Sequence, residues 1–244
     1  LGFDGVELLG DLSLYSAKEA AQILHDHGLQ VFSLTPENVD LTHPDQKIRQ
    51  EAVDYFYRLL DFASEFASPL ISCHGLVGRI APLSTMQEEN DFLVQSVRQI
   101  GLRAQTNGLK VVFEVLNRYE THQIHTGAQA LTLVDAVGLE NVGVLLDAYH
   151  MNIEEANPSQ ALKQVGSRLW LYHLADSNRR AIGLGHTDFS SQFAALRSID
   201  YTAPVILECS APGPNPFTPV KAEGWRTVLE EDLARSLAWL RASH

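Results

Sequence analysis

Four side chains of metal-binding type stand at regular intervals through the second half of the chain: Glu114 in VVFEVLNR, Asp147 in VLLDAYH, His173 in LYHLADSNRR and Glu208 in VILECS. Each closes a short apolar, β-rich run. Their separations of 33, 26 and 35 residues are each about one strand plus one helix, so residues remote in sequence can converge on one centre. Three carboxylates and an imidazole suit a hard or borderline divalent cation such as Mn2+, Mg2+ or Co2+, with Zn2+ as a further option, while the lack of cysteine ligand pairs disfavours structural zinc. Taken singly, each has a plain alternative: an acid at a strand end can cap the next helix, and a lone His is often a hydrogen-bonded core residue. Four in register on consecutive strands are harder to explain that way, because burying three carboxylates without a cation is strongly unfavourable.

The elements that must position them follow from periodicity. Apolar runs at 5–9, 30–35, 69–74, 110–115, 142–148, 169–174 and 204–209 read as strands buried on both faces. Between them, helical patterns span 16–27, 46–66, 87–107, 127–137, 158–166, 189–198 and 229–242. The first begins with a Ser cap and Glu three positions on, and Gly28 stops it. Strict strand–helix alternation without a linker or low-complexity tract predicts one parallel α/β domain over residues 1–244, a (β/α)8 barrel with its site at the C-terminal ends of the strands. Seven strands are one short of a closed barrel. The opening LGFDGVELL reads as the tail of a helix, a Gly turn and a strand, which implies that the first strand–helix unit is missing from the sequence. An open doubly wound sheet is the competing fold, but no G-x-G-x-x-G follows an early strand, and Gly183-Leu184-Gly185 opens no helix.

Composition narrows the partners. With 18 Lys and Arg against 30 Asp and Glu, the formal charge of −12 argues against nucleic acid or anionic membrane and for a small-molecule ligand. Cys73 and Cys209 both fall in apolar strands, which fits a reducing, cytoplasmic setting better than a disulfide framework. No apolar run approaches the roughly 20 residues of a membrane helix.

The strings EVLNRYE at 114–120, LLDAYHMNIEE at 145–155, HLADSNRRAIGLGHTDF at 173–189 and ILE at 206–208 resemble the ketose 3-epimerase family, which includes the D-tagatose and D-psicose 3-epimerases, within the xylose-isomerase-like barrels. The similarity runs over essentially the whole chain and is strongest from about residue 110. The resemblance implies one metal at Glu114, Asp147, His173 and Glu208, with Glu114 and Glu208 doubling as acid and base. It also implies substrate contacts from Glu120, His150 and Arg179 near the C1 and C2 oxygens of a ketose. The expected reaction is 3-epimerisation of a free ketose through a cis-enediolate, the two glutamates working on opposite faces of the sugar. Relatives are often dimers or tetramers.

Alternatives remain. An aldose–ketose isomerase, or one acting on a keto-inositol or hydroxypyruvate-like compound, would use the same metal, and a non-catalytic sugar-binding barrel would keep the pocket. An endonuclease IV-like nuclease would add ligands such as His186 and Asp188, but it needs a basic groove. The segment HGLVGRIAPLS at 74–84, around what would be the fourth strand of a complete barrel, departs from the family pattern and leaves the substrate open. His74 and Arg79 there are candidate contacts to the far end of a sugar, His74 equally a buried strand-end histidine. Glu120 can also be a solvated loop carboxylate, His150 a partner that orients Asp147, and one of Arg179 and Arg180 a surface charge. Trp170, Trp225, Trp239, His25 and His27 read as packing and surface. Cys209, adjacent to Glu208, should face away from the metal.

Overall fold

The computed structural model describes residues 1–67, 69–214 and 220–242. Strands and helices alternate along it: β1 (Gly5–Leu9), α1 (Ala17–Asp26), β2 (Gln30–Thr35), α2 (Gln46–Ala63), β3 (Leu70–Cys73), α3 (Met86–Thr106), β4 (Lys110–Glu114) and α4 (Gly127–Val137). Then come β5 (Val142–Asp147), α5 (Ala148–Glu154), α6 (Pro158–Val165), β6 (Leu169–Leu174), α7 (Phe189–Ser198), β7 (Val205–Leu207) and α8 (Trp225–Ala242). Helix starts are chemically specified. The side chains of Ser16, Asp45, Thr85, Thr126, Asp147, Asn157 and Asp188 each accept a backbone N–H of the first turn. At the other end of α4, Gly138 takes φ 67°, the left-handed conformation that ends a helix without a Cβ clash.

All seven strands are parallel and pair in chain order, β1 through β7. Among the described residues β1 and β7 have one hydrogen-bonded neighbour each, so the sheet is a nearly closed barrel with a single open seam, equivalent to seven consecutive units of an eight-unit barrel. Most of the core, including Leu34, Phe56, Leu59, Ile71, Phe113 and Tyr172, belongs to one apolar cluster. A second, smaller cluster is formed by Val112, Leu145 and Leu171, with Leu70, Trp170 and Ile206 packed against it. Because side chains alternate along a strand, the residues two positions after Val112, Leu145, Leu171 and Ile206 share their side of the sheet. Those residues are Glu114, Asp147, His173 and Glu208. An apolar layer thus supports a polar layer at the C-terminal ends of β4 to β7.

The expected strands all form, shortened by one or two residues at some ends. Residues 1–4 carry no helix, against the expectation of a helical tail. Helix α5 was not anticipated; it starts on the residue after Asp147, and the Asp147 carboxylate caps it by accepting Tyr149 N–H at 2.7 Å. Trp239 packs edge-on against Phe189 and Phe193, as a core residue should. No helix among the described residues is long and apolar enough to cross a membrane.

Candidate metal centre

Glu114, Asp147, His173 and Glu208 each offer one ligand atom, and these atoms all lie within 4.8 Å of one another. His173 sits at the middle of the set: its Nδ1 is 3.0 Å from Glu208 Oε2 and 3.7 Å from Glu114 Oε1. Asp147 and His173 are register partners on β5 and β6, which places them side by side on the barrel rim. Glu208 follows the three-residue β7 next to the open seam, and its side chain is 37% exposed whereas that of Asp147 is 0%. Arg179 closes the cluster from above, with Nη1 3.0 Å from Asp147 Oδ2 and Nη2 2.8 Å from Glu208 Oε1. Its backbone holds φ 61°, unusual for a residue with a Cβ, and its guanidinium lies over the Tyr149 ring at 4.6 Å.

The electrostatics are those of a site short of positive charge. Burial, reinforced by the neighbouring carboxylates Glu208, Asp147 and Glu7, pushes Glu114 up to about 8 despite His173. Burial likewise raises Asp147 against the pull of Arg179 and His150. Burial would also raise Glu208, but Arg179 and His173 outweigh it and hold that carboxyl well below the usual range. His173 goes up despite burial, because Glu7 and Glu208 stabilise its imidazolium. Protons on Glu114 and His173 therefore supply charge that a cation would replace. Since a ligand must lose its proton, metal uptake near pH 7 is expected to release at least one proton per ion. Affinity should climb about tenfold per pH unit for each proton displaced, the Glu114 contribution ending near pH 8. Titration calorimetry in two buffers of different ionisation heat measures the count; an affinity constant between about pH 6 and 8 would contradict it.

A family model for xylose isomerase-like TIM barrels matches residues 1–243. The chain belongs to that family. Among its relatives, the D-psicose 3-epimerase of Agrobacterium fabrum is 32% identical over 85% of this chain and 75% of that protein. The 3-dehydro-D-guloside 4-epimerase of Escherichia coli is 30% identical over 99% of this chain and 90% of that one. The match to the L-ribulose 3-epimerase of Methylomonas sp. is 39% identical but shorter, taking in 52% of this chain and 44% of that protein. The crystal structure of the D-psicose 3-epimerase from Clostridium cellulolyticum H10 with D-tagatose superposes with a TM-score of 0.89 at 26% identity, covering 99% of this chain and 89% of that one.

Around the cluster of this xylose isomerase-like barrel, several sequence candidates come together. The Asn117 side-chain amide lies 2.9 Å from Glu120 Oε1 and 2.8 Å from His150 Nδ1. His150 Nε2 is in turn 3.5 Å from Asp147 Oδ2. Glu120 is thus tied down rather than a free loop carboxylate. His74, at the end of β3, is buried, and that burial lowers it below the ordinary imidazole value. Its Nδ1 lies 2.7 Å from the Gly75 carbonyl, which requires a proton there and leaves Nε2 as an acceptor.

Other candidates are engaged elsewhere. Arg180 pairs with Asp232 on α8 through Nε at 2.5 Å, so it pins the loop to the outer helices instead of standing as a free surface charge. Arg79 Nη2 sits 3.1 Å from both Asp40 Oδ1 and Glu89 Oε2 and also bonds Thr42, a structural ion network in place of a sugar contact. Glu89, fully buried, further accepts Leu83 and Ser84 N–H groups and faces His122 Nε2 at 2.8 Å. Glu89→Ala would leave Arg79 with Asp40 as its carboxylate partner but strip the Leu83 and Ser84 N–H groups and His122 of their buried acceptor, and is expected to cost about 1–3 kcal/mol in urea unfolding. A loss under about 1 kcal/mol would show the network to be incidental. His186 Nδ1 contacts Ser177 Oγ at 3.0 Å and Asp188 caps α7, so the proposed extra nuclease ligands serve the loop. Cys209 faces Asp232 and Ser236 on α8, away from the cluster as alternation requires.

Two participants escaped the sequence reading. Asn117 lay within the EVLNRYE string but was assigned no role. Glu7 on β1 places Oε2 3.2 Å from His173 Nε2. A single acid inside the apolar run GVELL was the signal for it.

Proposed function

We propose that this barrel is a divalent-metal-dependent sugar epimerase, inverting a hydroxyl-bearing carbon beside a ketone, with 3-epimerisation of a free ketose as its reaction. The observation that carries the reading is the convergence of Glu114, Asp147, His173 and Glu208 to within 4.8 Å of one another, with Glu114 at the end of β4 and Glu208 just past β7, so that the two glutamates come from strands on opposite sides of β5 and β6. The donor set, oxygen-rich with one imidazole, fits Mn2+, Co2+ or Mg2+ held by Glu114, Asp147, His173 and Glu208. Bound there, the cation supplies Lewis-acid charge that makes the C–H beside a carbonyl more acidic.

The chain's own residues do the rest. One glutamate takes the proton from one face of the reacting carbon and the other delivers a proton to the opposite face, so the stereocentre inverts; the configuration of the incoming sugar decides which is the base. Arg179, fixed by Asp147, Glu208 and the Tyr149 ring, offers guanidinium donors to the oxygens next to the reacting carbon. His150 and Glu120, coupled through Asn117, bind the C1 and C2 end, and His74 Nε2 accepts a hydroxyl from the other end.

A second reading has its own support. The 30% identity to a 3-dehydro-D-guloside 4-epimerase over nearly the full length of both chains favours inversion at C4 of a 3-keto glycoside by the same two glutamates. Assay in D2O with Mn2+, on free ketoses and on 3-keto glycosides, separates the cases. Deuterium at C3 of a product ketose is expected, and label at C4 of a glycoside transfers the assignment to the 4-epimerase. Label at C1 would mean an aldose–ketose isomerase, and no turnover of either class with metal bound would leave only a binding barrel.

A further inference from the structure

The imidazole of His173 has two ring nitrogens, and the structure gives them different partners. Nδ1 faces the ligand layer, with Glu208 at 3.0 Å and Glu114 at 3.7 Å. Nε2, on the other side of the ring, faces the Glu7 carboxylate alone at 3.2 Å. Glu7 is set in turn by Ser33, its register partner on β2, whose hydroxyl donates to the same Oε2 at 2.5 Å. Ser33 and His173 are buried, and the Glu7 side chain is only 11% exposed. Through Glu7 the relay joins the β1–β2 pair to β6, and among the described residues β1 and β6 share no backbone pairing.

We propose that Glu7 is a positioning residue for the metal centre: it accepts the Nε2 proton of His173, fixes that tautomer and ring orientation, and so directs the Nδ1 lone pair at the cation. The inference rests on the reading that Glu114, Asp147, His173 and Glu208 hold a divalent ion. A neutral imidazole has one proton for two nitrogens, so a strong acceptor at Nε2 leaves Nδ1 free as a ligand. A carboxylate in that place also raises the basicity of the ligating nitrogen, and removing such a partner typically costs about 10–100-fold in metal affinity. Glu7 itself lies on the far side of the ring from the other ligands and is absent from the converging set.

The test compares wild type with Glu7→Leu, Glu7→Gln and Ser33→Ala, reading the Mn2+ dissociation constant by calorimetry, the visible spectrum of the Co2+-loaded protein and the melting temperature of the metal-free protein. Glu7→Leu is expected to weaken Mn2+ binding about 10–100-fold and to change the Co2+ band. Glu7→Gln keeps a neutral acceptor and should recover most of that affinity, a rescue that simple loss of packing would not give. Ser33→Ala should weaken binding only a few-fold. A folded Glu7→Leu protein with wild-type Mn2+ affinity and Co2+ spectrum overturns the proposal. Should Glu7→Leu fail to fold, the other two decide: a modest loss in both supports the relay, and wild-type affinity in both overturns it. Wild type that binds neither Mn2+ nor Co2+ defeats the metal reading itself, a result distinct from metal binding that is indifferent to Glu7.

Discussion

Treating the protein with a chelator is expected to abolish turnover of its sugar substrate, and Mn2+ or Co2+ to restore it. The argument is one of charge. Glu114, Asp147 and Glu208 offer oxygens within 4.8 Å of one another and of His173, and Arg179 pairs with Asp147 and Glu208. Without a metal, Glu114 keeps its proton up to about 8, so at neutral pH the site is missing both its Lewis acid and one of its two bases. The same loss should show in stability. An ion that binds only the folded state adds about 2.7 kcal/mol at a hundredfold excess over its dissociation constant, so the melting temperature should fall on chelation and recover with metal. Ranking Mn2+, Co2+, Mg2+ and Zn2+ by recovered activity identifies the preferred ion. Full turnover by protein shown to be metal-free would remove the cation from the chemistry.

What the sequence made legible follows the physics of each feature. The barrel could be read because parallel strands buried on both faces are continuous apolar runs, and because four polar residues end such runs one repeat apart. The structure supplies the reason for that spacing: Val112, Leu145, Leu171 and Ile206 form the layer beneath, and alternation along each strand lifts Glu114, Asp147, His173 and Glu208 above it. Helix α5 was not read because AYHMNIE is only seven residues and follows a strand with no turn between. Yet its first turn presents His150 to Asp147, so its absence from the reading left His150 without a scaffold. Contacts between distant segments were invisible for a different reason. Nothing local in Arg79 or Arg180 shows that one is bound by Asp40 and Glu89 and the other by Asp232, 52 residues away. Glu7 was the hardest, since its partner His173 lies 166 residues off, and only the oddity of an acid within GVELL marked it.

Replacing either glutamate of the proposed acid–base pair with Gln should lower turnover by about 10²–10⁴-fold, the range for a lost general acid or base. At 1.36 kcal/mol per decade this corresponds to about 3–5.5 kcal/mol of transition-state stabilisation. Gln keeps a carbonyl oxygen for the metal, so Mn2+ affinity should fall far less than turnover. The two variants should also differ from each other. Glu208 receives Arg179 Nη2 at 2.8 Å, so the amide of Glu208→Gln must turn its NH2 toward that donor or toward the cation. Glu114 has no arginine contact of that kind, and Glu114→Gln should retain the metal better. Solvent exchange gives the sharper test of roles. When one glutamate removes the proton and the other returns it, a variant that keeps only the base can wash deuterium into unreacted substrate without inverting it. Each variant should therefore exchange one epimer of the substrate pair in D2O and leave the other untouched, with opposite preferences for Glu114→Gln and Glu208→Gln. Exchange of the same epimer by both would mean that a single group works on one face. A Gln variant with near-wild-type turnover and its metal bound would take that glutamate out of the proton transfer altogether.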